Sequence, residues 1–447
     1  MTGGLLFLLL IVIIAAFVGV VIYSLKNAKK LEKVSWFEKQ WKKESTKTTA
    51  SSLISIIVGM FIGAFILIIM CGSVPGGFKT GIEGVQLVLF GVFNIGRNSS
   101  GQLIFGWNGT NIGDVLFKAT PLILTGLSVA LAFKTGLFNI GAPGQYLMGT
   151  AASLIVALSI PTEVVPAWLV WILAFLSGFL AGALWGAIPG AFKAFLNVNE
   201  VISCIMTNWI AANLVTALFD NNTGPFKHLL DPSGTKNFGY VFKTTENNVA
   251  TPKLGLDKIF SGSQVNVGIF VAIIMAILVY IILNKTTFGY ELKACGSNRD
   301  AAKYAGINEK RNILLSMAIA GGLAGAGAAL YYLSGNTEFK WETYQTLPAI
   351  GFNGIPVALL AANNPAAVIA SAAFLSYLDV AGMTLKYMTT YNEYITSIIS
   401  AIIVYFSAFA LLIKMVLEGK IKLSFLSRKP KTEKVPSKEE SGKEVKE

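Results

Sequence analysis

Charged residues are scarce in this chain of 447 residues: Asp, Glu, Lys and Arg make up 13% of it, whereas hydrophobic residues make up 54%. Globular proteins carry about 25% charged residues, so the sequence lacks the polar cover of a large water-soluble protein. The charges are concentrated in the first fifty residues, in one central stretch and at the C-terminus, with long apolar runs between them. This distribution predicts an all-α integral membrane protein.

Metal-binding residues are also scarce. The single histidine, His228, lies in a polar stretch without a second ligand nearby, so we expect no metal site and no cofactor. Cys71, Cys204 and Cys295 lie in or beside apolar runs, far apart, without the spacing of a zinc site or a disulfide framework. The net charge of +12 does not indicate a nucleic-acid partner, because the positive residues flank apolar segments instead of alternating with aromatic ones.

The sequence lacks the groups that would power transport by this chain alone. It has no GxxxxGK[ST] phosphate loop, so we do not expect it to hydrolyse ATP. It also has no Ser/His, HExxH or paired-Asp motif that would predict an enzyme. Only Asp114, Lys118, Glu200 and Asp379 are ionisable within the apolar segments, too few for a charge relay across the bilayer. Either another subunit supplies the energy or the chain is a passive pore.

Eleven apolar segments are candidates to cross a membrane, which takes about 20 residues. The segment 3–24 lacks basic residues before its core and is longer than the core of a signal peptide, so we interpret it as an uncleaved anchor. The stretch 85–95 is too short to cross and predicts a re-entrant or surface helix. The eleven segments are 3–24, 50–72, 112–133, 138–160, 166–192, 199–219, 266–284, 313–334, 347–362, 366–384 and 395–413.

Basic residues accumulate in alternate connections between these segments. If the N-terminus lies outside, the inner connections hold 26 Lys and Arg residues and the outer ones nine, which predicts an outer N-terminus and a cytoplasmic C-terminus. The chain then divides into residues 1–49, an anchor followed by a basic amphipathic segment on the inner surface, residues 50–413, the transmembrane domain, and residues 414–447, a basic tail expected to be disordered. The alternative for residues 25–49 is a solvated linker.

A glycine-rich break over 134–149 opens an apolar segment. Irregular backbone at membrane depth is tolerated where protein or a water-filled cavity satisfies its polar groups, and such breaks often mark a solute path. Asn139 and Gln145 would offer neutral hydrogen-bonding groups there. The alternative is a polar turn at the membrane edge followed by a small-residue packing face.

A second break, over 350–366, resembles the first. Asn353 follows Phe352, and Pro356 is expected to interrupt the helix, so we predict that this break also lines the solute path. Two runs of small residues allow close helix packing and are interpreted as structural: 177–190 and 320–329.

The inner connection 285–312 predicts a helix of about eight residues parallel to the membrane. Ser297 or Asn298 can cap it, Asp300 suits its first turn and Gly306 can end it. Its small apolar face would consist of Ala301, Ala302, Tyr304 and Ala305. Such a helix can dock in a groove of a partner, and the alternative is a plain connector.

Four segments resemble the permeases of bacterial binding-protein-dependent ABC importers, in the group for ribose-type sugars, branched-chain amino acids and nucleosides. The likeness to nucleoside permeases is the strongest. It is carried by Gly126–Gly149 (GLSVALAFKTGLFNIGAPGQYLMG), Asn199–Ala211 (NEVISCIMTNWIA), Gly289–Ile307 (GYELKACGSNRDAAKYAGI) and Leu347–Pro365 (LPAIGFNGIPVALLAANNP).

The resemblance implies a permease subunit in a bacterial cell membrane that moves a nucleoside inward. It implies that Asn298–Ile307 is the coupling helix that docks on a separate ATP-binding subunit. It also implies a second related permease and a lipoprotein that delivers the solute. The same machinery with a sugar, purine base or amino acid is the alternative, and an ion-coupled carrier or a channel is a more distant one.

Overall fold

The structure is a computed structural model that describes residues 59–70, 72, 75–220, 222–229, 239–240, 249–391 and 394–408. The predicted anchor 3–24, the amphipathic segment 25–49 and the tail 414–447 lie outside the described residues, as do the ends of the segments 50–72 and 395–413.

The described part of the chain is mostly helical, with four short strands. The helices are α1 (Gly59–Met70), α2 (Gly77–Phe90), α3 (Gly109–Lys134), α4 (Ala142–Ser159), α5 (Ala167–Leu196), α6 (Glu200–Leu218), α7 (Leu256–Ile259), α8 (Gly268–Lys285), α9 (Thr287–Ser297), α10 (Arg299–Tyr304), α11 (Glu309–Tyr332), α12 (Ala349–Leu360), α13 (Pro365–Met388) and α14 (Tyr394–Ala408). The strands form two antiparallel pairs, β1 (Asn94–Arg97) with β2 (Leu103–Phe105) and β3 (Gly239–Tyr240) with β4 (Phe339–Lys340).

Six helices within the described residues are long and apolar enough to cross a membrane: α3, α5, α6, α8, α11 and α13. Each coincides with one of the eleven predicted segments, so the all-helical membrane architecture is confirmed for these six. The segment 138–160 also forms a helix, α4, but its first turns are rich in small and polar residues, and it is not among the six.

Two predicted segments differ from the structure. The segment 347–362 contains α12, which has only 12 residues; at 1.5 Å per residue it is about 18 Å long, too short for a hydrocarbon core of about 30 Å. The helix expected over 85–95 instead begins at Gly77 and ends at Phe90, and the chain continues through a 3-10 turn into β1.

The core of the fold is formed by α3 and α11, which pack on each other and on α4, α5 and α12. In the apolar stretches of α3 and α11, 89% and 78% of the residues are buried, whereas in that of α5 only 22% are buried. The exposed faces of α5, α6 and α8 carry large apolar side chains, as expected of helices that contact lipid.

The two runs of small residues form the contact between α5 and α11. A Cβ atom on Gly182 would lie within 3.0 Å of the backbone of Gly321 and Gly325, and one on Gly178 would meet the Ala329 side chain at 2.9 Å. The helix backbones can approach this closely because no side chains separate them. The structural interpretation of these runs is therefore confirmed.

Candidate functional site

The structure brings the two breaks of the sequence together. A Cβ atom on Gly351 of α12 would lie 2.5 Å from the Cα atom of Pro143, at the start of α4. A Cβ atom on Gly354, one turn later, would lie 2.6 Å from the carbonyl carbon of Thr125 in α3. The glycine face of α12 therefore rests on α3 and on the first break, and α12 also contacts α13 and α14.

Asn139 and Gln145 form a closed amide pair inside the first break. Asn139 Nδ2 donates to Gln145 Oε1 at 2.8 Å, and Gln145 Nε2 donates to Asn139 Oδ1 at 3.0 Å. Asn139 Nδ2 also donates to Ser128 Oγ at 2.9 Å. Both side chains are buried. Their amides fix the path of the chain between α3 and α4, and their expected contact with the solute stays a prediction.

Asn208 of α6 supports the same break and was missed by sequence reasoning. Its Oδ1 accepts a hydrogen bond from the Gly144 amide at 2.9 Å, and its Nδ2 donates to the Ile140 carbonyl at 3.0 Å. Buried backbone groups need such partners when they leave a helix. The presence of two Asn residues, Asn208 and Asn213, within an apolar helix was the available signal.

The second break contains α12, which is helical over Ala349–Leu360, and a turn over 361–364. Pro356 lies inside α12, so the expectation that it interrupts the helix was wrong. Proline removes one backbone donor, and its neighbours can compensate for that loss in a packed membrane helix. Asn353 is exposed and shares a face with Pro356, whereas Phe352 is half-buried.

A cavity of about 490 Å³ lies beside this face of α12. It is bounded by α3, α11, α12, α13 and α14, and Asn353 is the one predicted path residue that lines it; Phe352, Asn139 and Gln145 do not. The lining residues are Lys118, Pro121, Leu122, Tyr331, Ile350, Asn353, Pro356, Leu375, Asp379, Ser397 and Ala401.

An ion pair between Lys118 of α3 and Asp379 of α13 lies in the cavity wall. Lys118 Nζ donates to Asp379 Oδ2 and lies 3.5 Å from Met383 Sδ. The Asp379 side chain is 61% exposed and that of Lys118 25%. The sequence identified both residues as ionisable but not as partners.

The other two ionisable residues of the spans are engaged away from the cavity. Asp114 Oδ1 accepts a hydrogen bond from the Gln264 amide at 3.0 Å, and Glu200 pairs with Lys193 at 2.9 Å between α5 and α6. Among the described residues no group of three or more His, Cys, Asp or Glu could hold a metal ion.

The side chains that line the cavity carry no net charge and include both polar and apolar groups. Its one cation and one anion neutralise each other, Asn353 and Ser397 add uncharged polar groups, and the remaining wall is largely apolar. Tyr331 also lines it, with its ring stacked on Phe117 at 5.6 Å between centroids. Such a site suits a small uncharged solute with both polar and apolar faces.

The inner connection forms two short helices, α9 and α10. Asn298 Oδ1 caps α10 by accepting a hydrogen bond from the Ala301 amide at 3.0 Å, Asp300 lies in its first turn, and Gly306 follows it with φ +79°, a conformation that favours glycine. The short helix is confirmed, although it has six residues instead of eight.

The exposed face of α10 differs from the expected one. Ala301, Tyr304 and Ala305 are exposed, and Tyr304 is 94% exposed, but Ala302 is buried against the chain itself. The expectation that Ala302 belongs to the apolar docking face was therefore wrong. The role of α10 in docking stays a prediction.

The inner connection touches the first break. A Cβ atom on Gly296, at the end of α9, would lie 2.7 Å from the Lys134 carbonyl oxygen, and one on Gly136 would lie 2.9 Å from Gly296 Cα. Next to this contact, Thr135 Oγ1 and Ser316 Oγ are 2.6 Å apart. The end of α9 is therefore in direct contact with the end of α3.

Comparisons with known proteins identify the family of this chain. Residues 111–408 match the family described as branched-chain amino acid transport system / permease component. The chain is 33% identical to the guanosine ABC transporter permease protein NupP of Bacillus subtilis, over 83% of this chain and 95% of the relative. It is 32% identical to the nucleoside ABC transporter permease protein NupB of Lactococcus lactis, over 83% of this chain and 94% of the relative.

A third relative is the glucose ABC transporter permease protein TsgB13 of Haloferax volcanii, 32% identical over 66% of this chain and 74% of the relative. No solved structure matches the chain significantly. The family match covers α3 to α14 and therefore includes the cavity, both breaks and α10. The chain belongs to the branched-chain amino acid transport system permease component family and is a multi-pass plasma-membrane transport protein.

Proposed function

We propose that this chain is the transmembrane subunit of an ATP-driven importer that moves a nucleoside inward across a bacterial cell membrane. The observation that carries the proposal is its similarity, over nearly the whole length of both relatives, to permeases named for guanosine and nucleosides. A separate subunit hydrolyses ATP, since the sequence has no phosphate-binding loop.

The cavity supports an uncharged solute of this size. Its volume of about 490 Å³ falls within the roughly 300–1,000 Å³ of small-molecule sites. Its charges are balanced, and Asn353 offers an amide donor and an amide acceptor. A nucleoside has the matching combination of an aromatic base and a hydroxylated sugar.

A second, related permease subunit completes the pathway. Asn353, Asp379 and Ser397 are exposed in the single chain although they lie on helices packed within the membrane fold. Polar groups at this depth need protein or a water-filled cavity around them, so a partner permease covers this face and encloses the cavity. A substrate-binding lipoprotein delivers the nucleoside to the assembled pair.

The ATP-binding subunit docks on α10. The exposed Ala301, Tyr304 and Ala305 form a small protruding surface, and the contact of Gly296 with the end of α3 connects this surface to the first break. The proposed coupling of ATP hydrolysis to transport depends on this contact.

The chain follows the eleven predicted segments across the membrane, and in the segment 347–362 the non-helical residues before α12 make up the part of the crossing that this short helix does not span. Its N-terminus lies outside, and residues 50–413 form the permease domain. The distribution of Lys and Arg supports this topology. Cysteine replacements at two exposed positions test the orientation. Tyr304 and Tyr344 are 94% and 87% exposed and lie beyond opposite ends of α11. An impermeant thiol reagent should label Y344C in intact cells and Y304C only in inverted vesicles; the reverse pattern refutes the orientation.

A sugar is the second candidate solute, because one relative at 32% identity is named for glucose. The decisive experiment is uptake of labelled guanosine by cells that express this chain with its ATPase, second permease and lipoprotein. Excess unlabelled nucleoside should abolish uptake, and excess glucose, amino acid or free purine base should not. Uptake of labelled glucose but not guanosine would establish the sugar alternative.

A further inference from the structure

We propose that the Lys118–Asp379 pair is a subsite for a vicinal diol, and that it binds the ribose hydroxyls of the transported nucleoside. This inference rests on the proposed function and extends it, because it assigns the recognition of the sugar to two residues. The pair lies in the cavity wall, where a solute held by Asn353 would also contact it.

Asp379 has the acceptor capacity that a diol requires. The ion pair uses Oδ2, and no hydrogen bond to Oδ1 is made within the described part of the chain. A carboxylate accepts only, through two oxygens, so two adjacent hydroxyls can each donate to it. Acidic side chains bind the ribose of dinucleotides in this way.

Lys118 can complete the diol subsite. An ammonium group has three donors; one is used by Asp379, and another points towards Met383 Sδ at 3.5 Å. The remaining donor is available to a ribose oxygen. The side chain is mostly covered, and hydrogen bonds from a charged donor are stronger there than in bulk water.

The pair also predicts which solutes are excluded. Lys118 is already neutralised by Asp379. A nucleotide phosphate would therefore find no unpaired cation in the cavity wall and would be repelled by the Asp379 carboxylate. A free purine base lacks the diol and would leave Asp379 without solute contacts. The apolar wall formed by Pro121, Leu122 and Leu375 is left for the base.

The test compares uptake of guanosine and 2′,3′-dideoxyguanosine by the complete transporter, wild type and Asp379→Asn. The lipoprotein is the same in both strains, so a change in the guanosine-to-dideoxyguanosine ratio must arise in the permease. We expect wild type to favour guanosine. In Asp379→Asn we expect guanosine uptake to fall about tenfold, as for the loss of one charge-assisted hydrogen bond, while dideoxyguanosine uptake changes less than twofold.

The control is Glu83→Gln, which removes a different ion pair, between α2 and β1 and not in the cavity lining, Glu83 with Arg97 at 2.7 Å. It should leave the ratio unchanged. If Asp379→Asn lowers uptake of both solutes equally, the pair only holds α3 to α13 and the diol inference is wrong. If wild type takes up neither solute, the proposed function itself fails.

A second variant guards against loss of folding. Asp379→Asn leaves Lys118 without its counter-ion, which can destabilise a membrane helix. The double variant Lys118→Gln/Asp379→Asn leaves no charge unpaired, and its two amides can still bond each other. It should insert normally and lose the preference for guanosine; retention of the wild-type ratio would overturn the proposal. Competition by free ribose or glucose would show that any vicinal diol is bound. Competition by nucleosides alone would show that the base is also recognised.

Discussion

Gly351 rests directly on Pro143, so that a methyl group on the glycine would lie 2.5 Å from the proline Cα. The contact joins α12 to the start of α4, two elements that are far apart in sequence. It also fixes the orientation of α12, so that Asn353 on the opposite face lines the cavity.

Gly351→Ala should displace α12 from α4. The new Cβ meets backbone atoms, which cannot move aside as a flexible side chain would, so we expect destabilisation by about 1–3 kcal/mol and reduced uptake. Thermal unfolding of the purified protein measures the first effect. The matched control is Gly72→Ala, where a Cβ meets nothing within 4 Å; equal melting temperatures for the two variants would contradict the packing argument.

Asn139→Leu should leave the Gln145 amide buried without its main partner. Such a loss costs about 1–3 kcal/mol. Replacing both residues, as Asn139→Leu/Gln145→Leu, removes the unsatisfied amide and should be less destabilising than the two single changes added together. A double-mutant cycle on unfolding measures the coupling, and additive effects would show that the reciprocal hydrogen bonds contribute little.

The sequence predicted the parts of the fold that depend on local patterns. Apolar length located α3, α5, α6, α8, α11 and α13. Small residues predicted close helix packing at 177–190 and 320–329, and Asn298 was one of two residues predicted to cap a helix. These features depend on neighbouring residues and on general lipid solvation.

Features that depend on distant contacts were not predictable. Lys118 and Asp379 are 261 positions apart, and no local pattern pairs them. Pro356 remains helical because α12 is held by packing on α3 and α4, which outweighs its local tendency to break a helix. Ala302 turned inward because α10 is only six residues long, and its orientation is set by α9 and α11.

Tyr304→Asp should abolish uptake while leaving the amount of protein in the membrane unchanged. The side chain is 94% exposed on α10, so the change disturbs no internal packing and introduces a charge into the proposed contact with the ATPase. Co-purification of the ATP-binding subunit measures docking. The control is Tyr344→Asp, since Tyr344 is 87% exposed and lies beyond the other end of α11. Normal uptake by Tyr304→Asp would refute the coupling role.

Asn353→Leu should weaken nucleoside uptake about tenfold without affecting ATPase docking. The side chain lines the cavity, and removal of a partner from a hydrogen-bonding solute costs about 1–3 kcal/mol. Initial uptake rates over a range of nucleoside concentrations measure the effect. A curve identical to that of wild type would show that Asn353 does not contact the solute.

The central claim is that this chain moves a nucleoside inward with energy from ATP hydrolysed by a partner. The most direct measurement is uptake of labelled guanosine into proteoliposomes that contain the complete transporter, with the lipoprotein outside and ATP inside. We predict uptake that requires enclosed ATP and is unaffected by collapse of proton and sodium gradients. Guanosine uptake driven by an ion gradient without ATP, or no guanosine uptake with ATP present, would contradict the claim.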